Sequence, residues 1–417
     1  MRHNIYIVAI LILMIFLSGC SNINNKTEEE ILIENDKKTI DIIEEKTIDP
    51  IQESIENMDL DEKIGQLFIV GFNGTSMDNW LMSIIEDYHI GGFILFRHNM
   101  LNVDQTIKLL NDLKEENKIN PVPLFLSIDE EGGRVKRLPS PFLNMPSAKQ
   151  IGNIDDKDIS YQYGKILAKR IKSLGFNMNF APVFDINSNF KNLVIGDRSF
   201  GSNVDVVIHN GIQVMKGISS ENIIPIIKHF PGHGDTSIDS HKDIPVVDKD
   251  LNELKDLELV PFLEGIKVGA DGIMIGHIMF PKIDDIYPAS LSKEIITNLL
   301  RKKLSFNGVI ISDDMTMGAI TRNYALEDAA VKYLKAGGDI LLIGSGEENV
   351  INVIHRIKDE VKNGNITEEE LNEKLYRILE LKEKYNIIDK TIQWVDVESI
   401  NQETKLFLDN IDKFNNK

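Results

Sequence analysis

This sequence of 417 residues contains almost no cysteine, since Cys20 is the only one. A single thiol cannot close an intramolecular disulfide, so no disulfide framework holds the fold together. Positive charge is in the minority: 46 lysines and arginines stand against 65 aspartates and glutamates, which gives a formal net charge of −19. This balance excludes a basic nucleic-acid-binding surface as the default and predicts no nucleic-acid partner. With 42% hydrophobic and 27% charged residues, the composition is that of a globular protein.

Long apolar runs are also scarce, and the clearest one extends from Ile5 to Leu17, after the cationic Arg2. It is shorter than the ~20 residues that a membrane-spanning helix needs, and it is typical of a secretory signal. The next residues, Ser18-Gly19-Cys20, complete a segment that resembles a bacterial lipobox. We therefore expect residues 1–19 to be a lipoprotein signal peptide and the protein to be extracytoplasmic, lipid-anchored to the bacterial cell membrane through Cys20. A signal anchor that is not cleaved is the alternative.

The rest of the chain shows one long alternating region between two flanking segments. Residues 20–50 are polar and acidic, which predicts a solvated spacer. Residues 51–388 alternate short apolar runs with segments of helical periodicity. Residues 389–417 are predicted to be a C-terminal tail that packs on this domain or is partly disordered. The candidate strands are Gln66–Phe72, Gly92–Phe96, Leu124–Ile128, Asn177–Phe184, Ile224–His229, Gly272–Ile275, Val309–Ser312 and Asp339–Ile343.

Eight strand–helix repeats predict an α/β fold of the (β/α)8 TIM-barrel type with a single catalytic domain. An open doubly wound sheet usually has fewer strands. In such a barrel the reactive side chains lie at the C-terminal ends of the strands, where the connecting loops form the active site. Polar residues come after five of the candidate strands at this position: Asp129, Asp185, Lys228 with His229, His277, and Asp313.

The most informative segment is KHFPGHGDTSIDSH, residues 228–241. His229 and His233 have the spacing of a helical zinc site, but a proline and a glycine lie between them, so the two rings cannot share a helix face. We therefore expect no metal and no cofactor. Asp239 and His241, two residues apart, point the same way on an extended chain. A carboxylate beside an imidazole suits a proton shuttle near neutral pH, and an ordinary surface histidine is the alternative.

Three further segments place charged side chains in loops. At the end of a candidate strand, Asp313 and Asp314 offer a nucleophile, and only one of them should face a substrate because neighbours on an extended chain point in opposite directions. The alternative is a pair that caps a helix N-terminus. Asp129 stands before a Gly-Gly turn that leads to Arg137, and Arg198 lies between glycines. These groups could hold a sugar or could form ordinary surface salt bridges.

Together these segments resemble the bacterial β-N-acetylhexosaminidases of glycoside hydrolase family 3, from about residue 58 to residue 346. The resemblance implies a (β/α)8 barrel in which Asp313 is the nucleophile, His241 is the acid/base and Asp239 orients His241. It implies that an N-acetylglucosamine unit is bound by Asp129, Arg137, Arg198, Lys228 and His229. The expected reaction is the retaining hydrolysis of terminal N-acetylglucosamine from peptidoglycan-derived muropeptides through a covalent glycosyl-enzyme.

Several alternatives stay open from the sequence. They are a β-glucosidase or xylosidase of the same fold, a phosphorylase, and a catalytically inactive sugar-binding lipoprotein. One position departs from the resemblance, because many relatives carry glutamine where Glu130 stands. We expect this change to be tolerated if the Glu130 side chain faces away from the sugar.

Overall fold

The structure, a computed structural model, describes residues 49–236, 240 and 243–415. The predicted signal peptide, the lipidation site Cys20 and nearly all of the predicted spacer therefore lie outside the described residues, as do Asp239 and His241. The described residues from Ile51 onward form one compact unit. Within the described ranges, no helix combines the length and the apolar character that crossing a membrane requires.

Eight strands form one parallel sheet that curls into a barrel, in the order β7-β6-β5-β4-β3-β2-β1-β8. The strands are β1 (Phe68–Val70), β2 (Gly92–Leu95), β3 (Phe125–Ile128), β4 (Met178–Asn179), β5 (Ile224–Phe230), β6 (Gly272–Ile275), β7 (Val309–Ser312) and β8 (Leu341–Ile343). Between β7 and β8, Ile311 and Ile340 form a parallel bridge, and the Ser312 amide donates to the Ile340 carbonyl at 3.0 Å. The predicted (β/α)8 barrel is confirmed, and each strand overlaps its predicted run.

Strand β4 is much shorter than its predicted run, and the sequence after it explains why. Pro182 has no N–H to donate to a neighbouring strand, so regular pairing cannot continue through it. The chain still runs irregularly along β5, because the Lys228 amide donates to the Pro182 carbonyl at 3.3 Å and the Phe184 amide donates to the Lys228 carbonyl at 2.7 Å. The Asn179 side chain bonds both backbone groups of Glu130, at 3.0 Å each, which ties this segment to β3.

Helices surround the barrel and connect the strands. They are α1 (Pro50–Asn57), α2 (Leu60–Gly65), α3 (Asn79–Glu86), α4 (Val103–Glu116), α5 (Ala148–Ile154), α6 (Lys157–Leu174), α7 (Val204–Ser219), α8 (Leu251–Asp256), α9 (Leu259–Lys267), the π-helical α10 (Glu294–Lys303), α11 (Gly318–Thr321), α12 (Leu326–Ala336), α13 (Glu347–Lys362), α14 (Glu368–Lys384) and α15 (Val397–Asn415). Two helix ends show why the sequence folds this way. Gly337 ends α12 with φ of 107°, a conformation that glycine adopts without strain. Thr367 and Glu370 form a reciprocal capping box at the start of α14.

Helix α15 accounts for most of the predicted C-terminal tail and packs beside α6. The Phe407 ring is buried and lies 6.2 Å from the Tyr163 ring, measured between centroids. At the edge of this contact the Lys169 ammonium pairs with the Glu403 carboxylate at 2.6 Å. The Asn401 amide also donates to the Pro141 carbonyl at 2.8 Å. The described part of this segment is therefore attached to the barrel by apolar and polar contacts.

Candidate active site

A pocket opens at the C-terminal mouth of the barrel, with a cavity volume of about 190 Å³. Its apolar lining includes Ile94 of β2, Phe180 just after β4, Met274 of β6 and Leu342 of β8. Three of them belong to even-numbered strands and Phe180 directly follows one, as expected for one layer of side chains inside a barrel of this type. Polar groups from odd-numbered strands stand around them. The barrel interior therefore supplies an apolar floor, and the strand ends supply the charged walls.

The structure brings six of the predicted site residues to this one pocket: Asp129, Arg137, Arg198, Lys228, His229 and Asp313. They are separated by as many as 184 positions in the chain and meet because parallel strands end at the same face of the barrel. Their individual roles stay predictions. The other two predicted catalytic residues, Asp239 and His241, lie outside the described residues, as does the lipidation site Cys20.

A buried ion network forms one wall of the pocket. The Lys228 ammonium lies 2.7 Å from a carboxylate oxygen of Asp129 and 2.7 Å from Oε1 of Glu131. Glu131 also accepts two hydrogen bonds from Arg198, both at 2.8 Å, in a bidentate pair. Although burial alone would raise the pKa of Glu131, the charges of Arg198 and Lys228 hold it well below its ordinary value. Arg198 is therefore not part of a surface salt bridge but is held rigidly at the pocket.

A second buried network orients His229. The Asp185 carboxylate, which is fully buried, accepts from Nδ1 of His229 at 2.6 Å and from the His233 amide at 2.6 Å. Burial opposes ionisation of Asp185, but its contacts with His229 and His233 lower its pKa. With Nδ1 donating to a carboxylate, Nε2 of His229 faces Arg198 Nη2 at 3.3 Å and the pocket. Strand β5 extends through His229, which confirms that His229 and His233 do not share a helix.

Asp313 stands at the end of β7 with a carboxylate that is ready to act as an anion. Burial disfavours its charged form, but His229, His277, the Asp314 amide and Lys228 together lower its pKa. One carboxylate oxygen accepts from the Asp314 amide at 2.9 Å. At neutral pH the group is therefore ionised, and its second oxygen is not used by that hydrogen bond.

The adjacent Asp314 also borders the pocket, and the expectation that only one of the two carboxylates faces a substrate stays a prediction. Strand β7 ends at Ser312 and the chain bends there, so the alternation of an extended strand does not continue through the two aspartates. Asp314 nevertheless has a different environment. Its Oδ1 accepts from the Thr316 amide and hydroxyl at 2.9 and 2.7 Å and from the Gly344 amide at 2.8 Å. It fastens the loop after β7 to the end of β8.

Glu130 supports the loop that carries Arg137 and does not line the pocket. Its Oε2 accepts from the Arg137 amide at 2.7 Å, and its Oε1 lies 3.6 Å from Arg170. Burial raises the pKa of Glu130 against the opposing effect of Arg170. The side chain therefore does not face the pocket, and the interchange of glutamine and glutamate at this position stays a prediction.

His233 contacts Thr236 and Ser240, which lie on the two sides of residues 237–239 in the sequence. Its ring is buried, with Nδ1 2.8 Å from the Thr236 hydroxyl and Nε2 3.3 Å from the Ser240 hydroxyl. The Thr236 hydroxyl also donates to the His233 carbonyl at 3.0 Å, so it accepts from Nδ1–H and leaves Nε2 to accept from Ser240. Burial and the nearby His229 lower the pKa of His233 to about 4, which keeps the ring neutral at neutral pH.

The sequence did not identify Glu131 or His233 as site residues, and it named Asp185 only as a strand-end acid. Glu131 lies two residues beyond the predicted Asp129, and this spacing could have suggested that both carboxylates share one cationic partner. The buried Asn192 side chain, which donates to the carbonyls of His233 and Gly234 and to the Thr236 hydroxyl, carried no such signal, because these partners are distant in the sequence. Among the described residues, no group of three or more His, Cys, Asp or Glu side chains could hold a metal ion.

A (β/α)8 barrel that gathers carboxylates and basic side chains at its strand ends provides the groups that glycoside hydrolysis uses. The family model "Glycosyl hydrolase family 3 N terminal domain" matches residues 59–381. The chain therefore belongs to glycoside hydrolase family 3.

Named relatives agree with this family. Beta-hexosaminidase A of Pseudoalteromonas piscicida is 35% identical over 339 residues, which cover 74% of this chain but only 56% of that protein. Beta-hexosaminidase of Xylella fastidiosa is 31% identical over 283 residues, covering 66% of this chain and 83% of that protein. Among solved structures, a family 3 beta-N-acetylglucosaminidase from Paenibacillus sp. has 34% identity and a TM-score of 0.79, with 84% of this chain and 68% of that chain covered.

Proposed function

We propose that this protein is a retaining exo-β-N-acetylglucosaminidase, which releases terminal N-acetylglucosamine from β-linked saccharides. The observation that carries the proposal is Asp313, an anionic carboxylate in the wall of a pocket that also presents Lys228, Arg198 and Asp129. An ionised carboxylate beside hydroxyl-binding groups suits attack on an anomeric carbon. The Paenibacillus structure is named a beta-N-acetylglucosaminidase, which supports N-acetylglucosamine as the sugar, and the Pseudoalteromonas and Xylella relatives are named beta-hexosaminidases.

In the proposed reaction, Asp313 attacks the anomeric carbon while the bond to the leaving oxygen breaks and that oxygen takes a proton from His241. This forms a covalent glycosyl-enzyme. Water then attacks the same carbon, gives its proton to His241 and releases the sugar with net retention, as Asp313 leaves as the free carboxylate. The role of Asp239 is to orient the His241 imidazole. Both His241 and Asp239 are assigned by resemblance and not by geometry.

The charged wall would hold the sugar in place for this step. Lys228 and Arg198 donate hydrogen bonds, and Asp129 accepts them, so the three groups together can bind hydroxyls of a single pyranose. Because Glu131 holds both cations at 2.7 to 2.8 Å, the donors are placed before the sugar arrives. Such preorganisation reduces the entropy that binding would otherwise cost.

We further propose that the substrates are muropeptide fragments of peptidoglycan and that the enzyme works outside the cell membrane, anchored by lipid on Cys20. This part of the proposal depends on the lipobox-like segment that ends at Cys20 and on the family resemblance to enzymes of cell-wall sugars. A surface location would place the pocket where cell-wall fragments are released.

The test compares two aryl glycosides that differ at one substituent, an aryl N-acetyl-β-glucosaminide and the matching aryl β-glucoside. We expect hydrolysis of the first to be far faster. A ratio of kcat/KM near one would contradict the acetamido-sugar assignment. A mechanism-based fluorosugar should then label the peptide that contains Asp313, and labelling at Asp314 would overturn the choice of nucleophile.

A further inference from the structure

The loop after β4, residues 187–195, exposes apolar side chains beside the pocket. Phe190 and Leu193 have exposed fractions of 84% and 79%, the highest among the large hydrophobic side chains of the described residues. Leaving such groups in water is unfavourable, and neighbouring exposed apolar side chains often mark a binding surface. The loop leads directly into Val194 and Arg198, which line the pocket. Leu193 is therefore the chain neighbour of a residue that lines the pocket.

Two asparagines of this loop, Asn189 and Asn192, are hydrogen-bonded to the segment that follows β5. Asn192 is buried and donates to the carbonyls of His233 and Gly234 at 2.8 and 3.2 Å. The Asn189 amide donates to the Gly234 carbonyl at 3.4 Å. Gly234 permits this approach, because a side chain on it would meet the Ile186 carbonyl oxygen at 1.6 Å. The loop is thus held next to the chain that carries the pocket-lining His233.

Phe190 and Leu193 are exposed although the backbone of their loop is held in place by hydrogen bonds. Asn189 and Asn192 bracket Phe190, and the Asn192 side chain also accepts from the amides of Val194 and Ile195 at 3.0 Å each. The Arg134 guanidinium donates to the Val194 carbonyl at 2.6 Å from the other side. The backbone is therefore fixed on both sides of the two apolar side chains, while those side chains point into solvent.

We propose that Phe190 and Leu193 form a subsite for the sugar ring on the leaving-group side of the scissile bond. This inference rests on the proposed function. A pyranose ring has an apolar face of C–H groups that can cover an aromatic ring, and its hydroxyls stay in water. The Lys191 ammonium lies over one face of the Phe190 ring, 5.9 Å from the ring centre. The opposite face is the one offered to the sugar.

The subsite predicts that the enzyme distinguishes substrates by the size of the leaving group. The two probes are a β-linked disaccharide of N-acetylglucosamine and N-acetyl-β-glucosaminyl fluoride, whose leaving group is one atom and cannot reach the loop. In the variant Phe190→Ser/Leu193→Ser, the ratio of kcat/KM for disaccharide to fluoride should fall by about tenfold or more, since burying such side chains contributes enough free energy for that factor.

Two controls separate the subsite from a general effect of the substitutions. Trp394→Ser removes an aromatic side chain of comparable exposure, 74%, from the segment before α15 and should leave the ratio unchanged. Phe190→Tyr keeps the ring and should keep the ratio close to that of the wild type. If the wild type hydrolyses neither probe, the proposed function fails. If it hydrolyses both and the double variant keeps the wild-type ratio, or Trp394→Ser lowers it equally, the subsite is overturned while the proposed function stands.

Discussion

Replacing Glu131 by glutamine should destabilise the fold strongly, although the two side chains have almost the same shape. The Glu131 side chain is only 5% exposed and neutralises two buried cations. Its Oε1 lies 2.7 Å from Lys228 and 2.8 Å from Arg198, and its Oε2 lies 2.8 Å from Arg198. Glutamine keeps the volume and one acceptor oxygen but removes the negative charge. Both cations would then remain in a buried site with Asp129 as the carboxylate still in contact with Lys228.

The expected loss of unfolding free energy arises because Lys228 and Arg198 are no longer neutralised by Glu131. Removing one partner of a buried ion pair typically destabilises a protein by about 3–5 kcal/mol, because an uncompensated charge stays buried. The chain provides a matched control in the pair between Arg134 and Asp197, which lie 2.8 Å apart but are 45% and 47% exposed. Solvent screens that pair, so Asp197→Asn should cost no more than about 1 kcal/mol.

The difference in unfolding free energy between wild type and Glu131→Gln should depend on pH with a definite sign. The pKa of Glu131 in the folded protein is lowered from 4.5, so the group contributes stability that is fully present above its unfolded pKa. That contribution is lost as pH falls through 4.5 toward the folded pKa, because protons then bind preferentially to the unfolded chain. The difference in unfolding free energy between wild type and Glu131→Gln should therefore be constant near neutral pH and should shrink as the solution becomes acidic.

The assay is urea unfolding of wild type, Glu131→Gln and Asp197→Asn at neutral pH, repeated at acidic pH. We expect a large loss for the first variant and a small one for the second. The reasoning is refuted if the two variants lose the same stability at neutral pH. It is also refuted if the deficit of Glu131→Gln grows as pH falls, since that would give Glu131 a raised pKa in the folded state.

Four further predictions concern the reaction and the anchor. Asp313→Asn removes the nucleophilic charge, and steady-state hydrolysis of aryl N-acetyl-β-glucosaminides should fall by at least about a thousandfold; retention of most activity would exclude Asp313 as the nucleophile. His241→Ala should slow substrates with poor leaving groups most, and azide should partly restore turnover; equal losses on good and poor leaving groups would contradict an acid/base role. His233→Leu, which breaks the contacts on both sides of residues 237–239, should show a milder form of the same leaving-group dependence, whereas a uniform loss would indicate a purely structural role. Cys20→Ala should abolish lipid attachment, and detection of lipid on the variant by mass spectrometry would refute the lipoprotein proposal.

The sequence predicted the barrel because its strands are short apolar runs that are buried on both faces. Each observed strand lies within or overlaps such a run, and β5 extends one residue beyond it, to Phe230. Strand β4 was predicted too long, because apolar character continues beyond Asn179 while Pro182 prevents regular pairing. Apolar patterning thus located the strands, and hydrogen-bonding capacity determined where one of them ended.

The site was predictable where its residues lie at the end of a strand, because topology alone brings strand ends together. Asp129, Lys228 and Asp313 meet for this reason. The pairing of charges, by contrast, was not predictable. Glu131 belongs to the same loop as Asp129, and only the three-dimensional path of that loop shows that it holds Arg198, 67 positions away. Pairing of distant side chains depends on distances that local sequence patterns do not contain.

Counting donors separates a lysine that can bind substrate from one that is committed to the fold. Lys382 of α14 is buried at the other end of the barrel, and its three N–H groups meet three acceptors: Gln66 Oε1 at 2.8 Å and the carbonyls of Gly91 and Pro123 at 3.0 and 2.7 Å. Burial lowers its pKa to about 7, and within the described structure its donors are saturated. Lys228 has the same three donors, but the described residues supply contacts only from Asp129 and Glu131. Its third N–H can therefore bind a hydroxyl in the pocket, which Lys382 cannot do without giving up an acceptor.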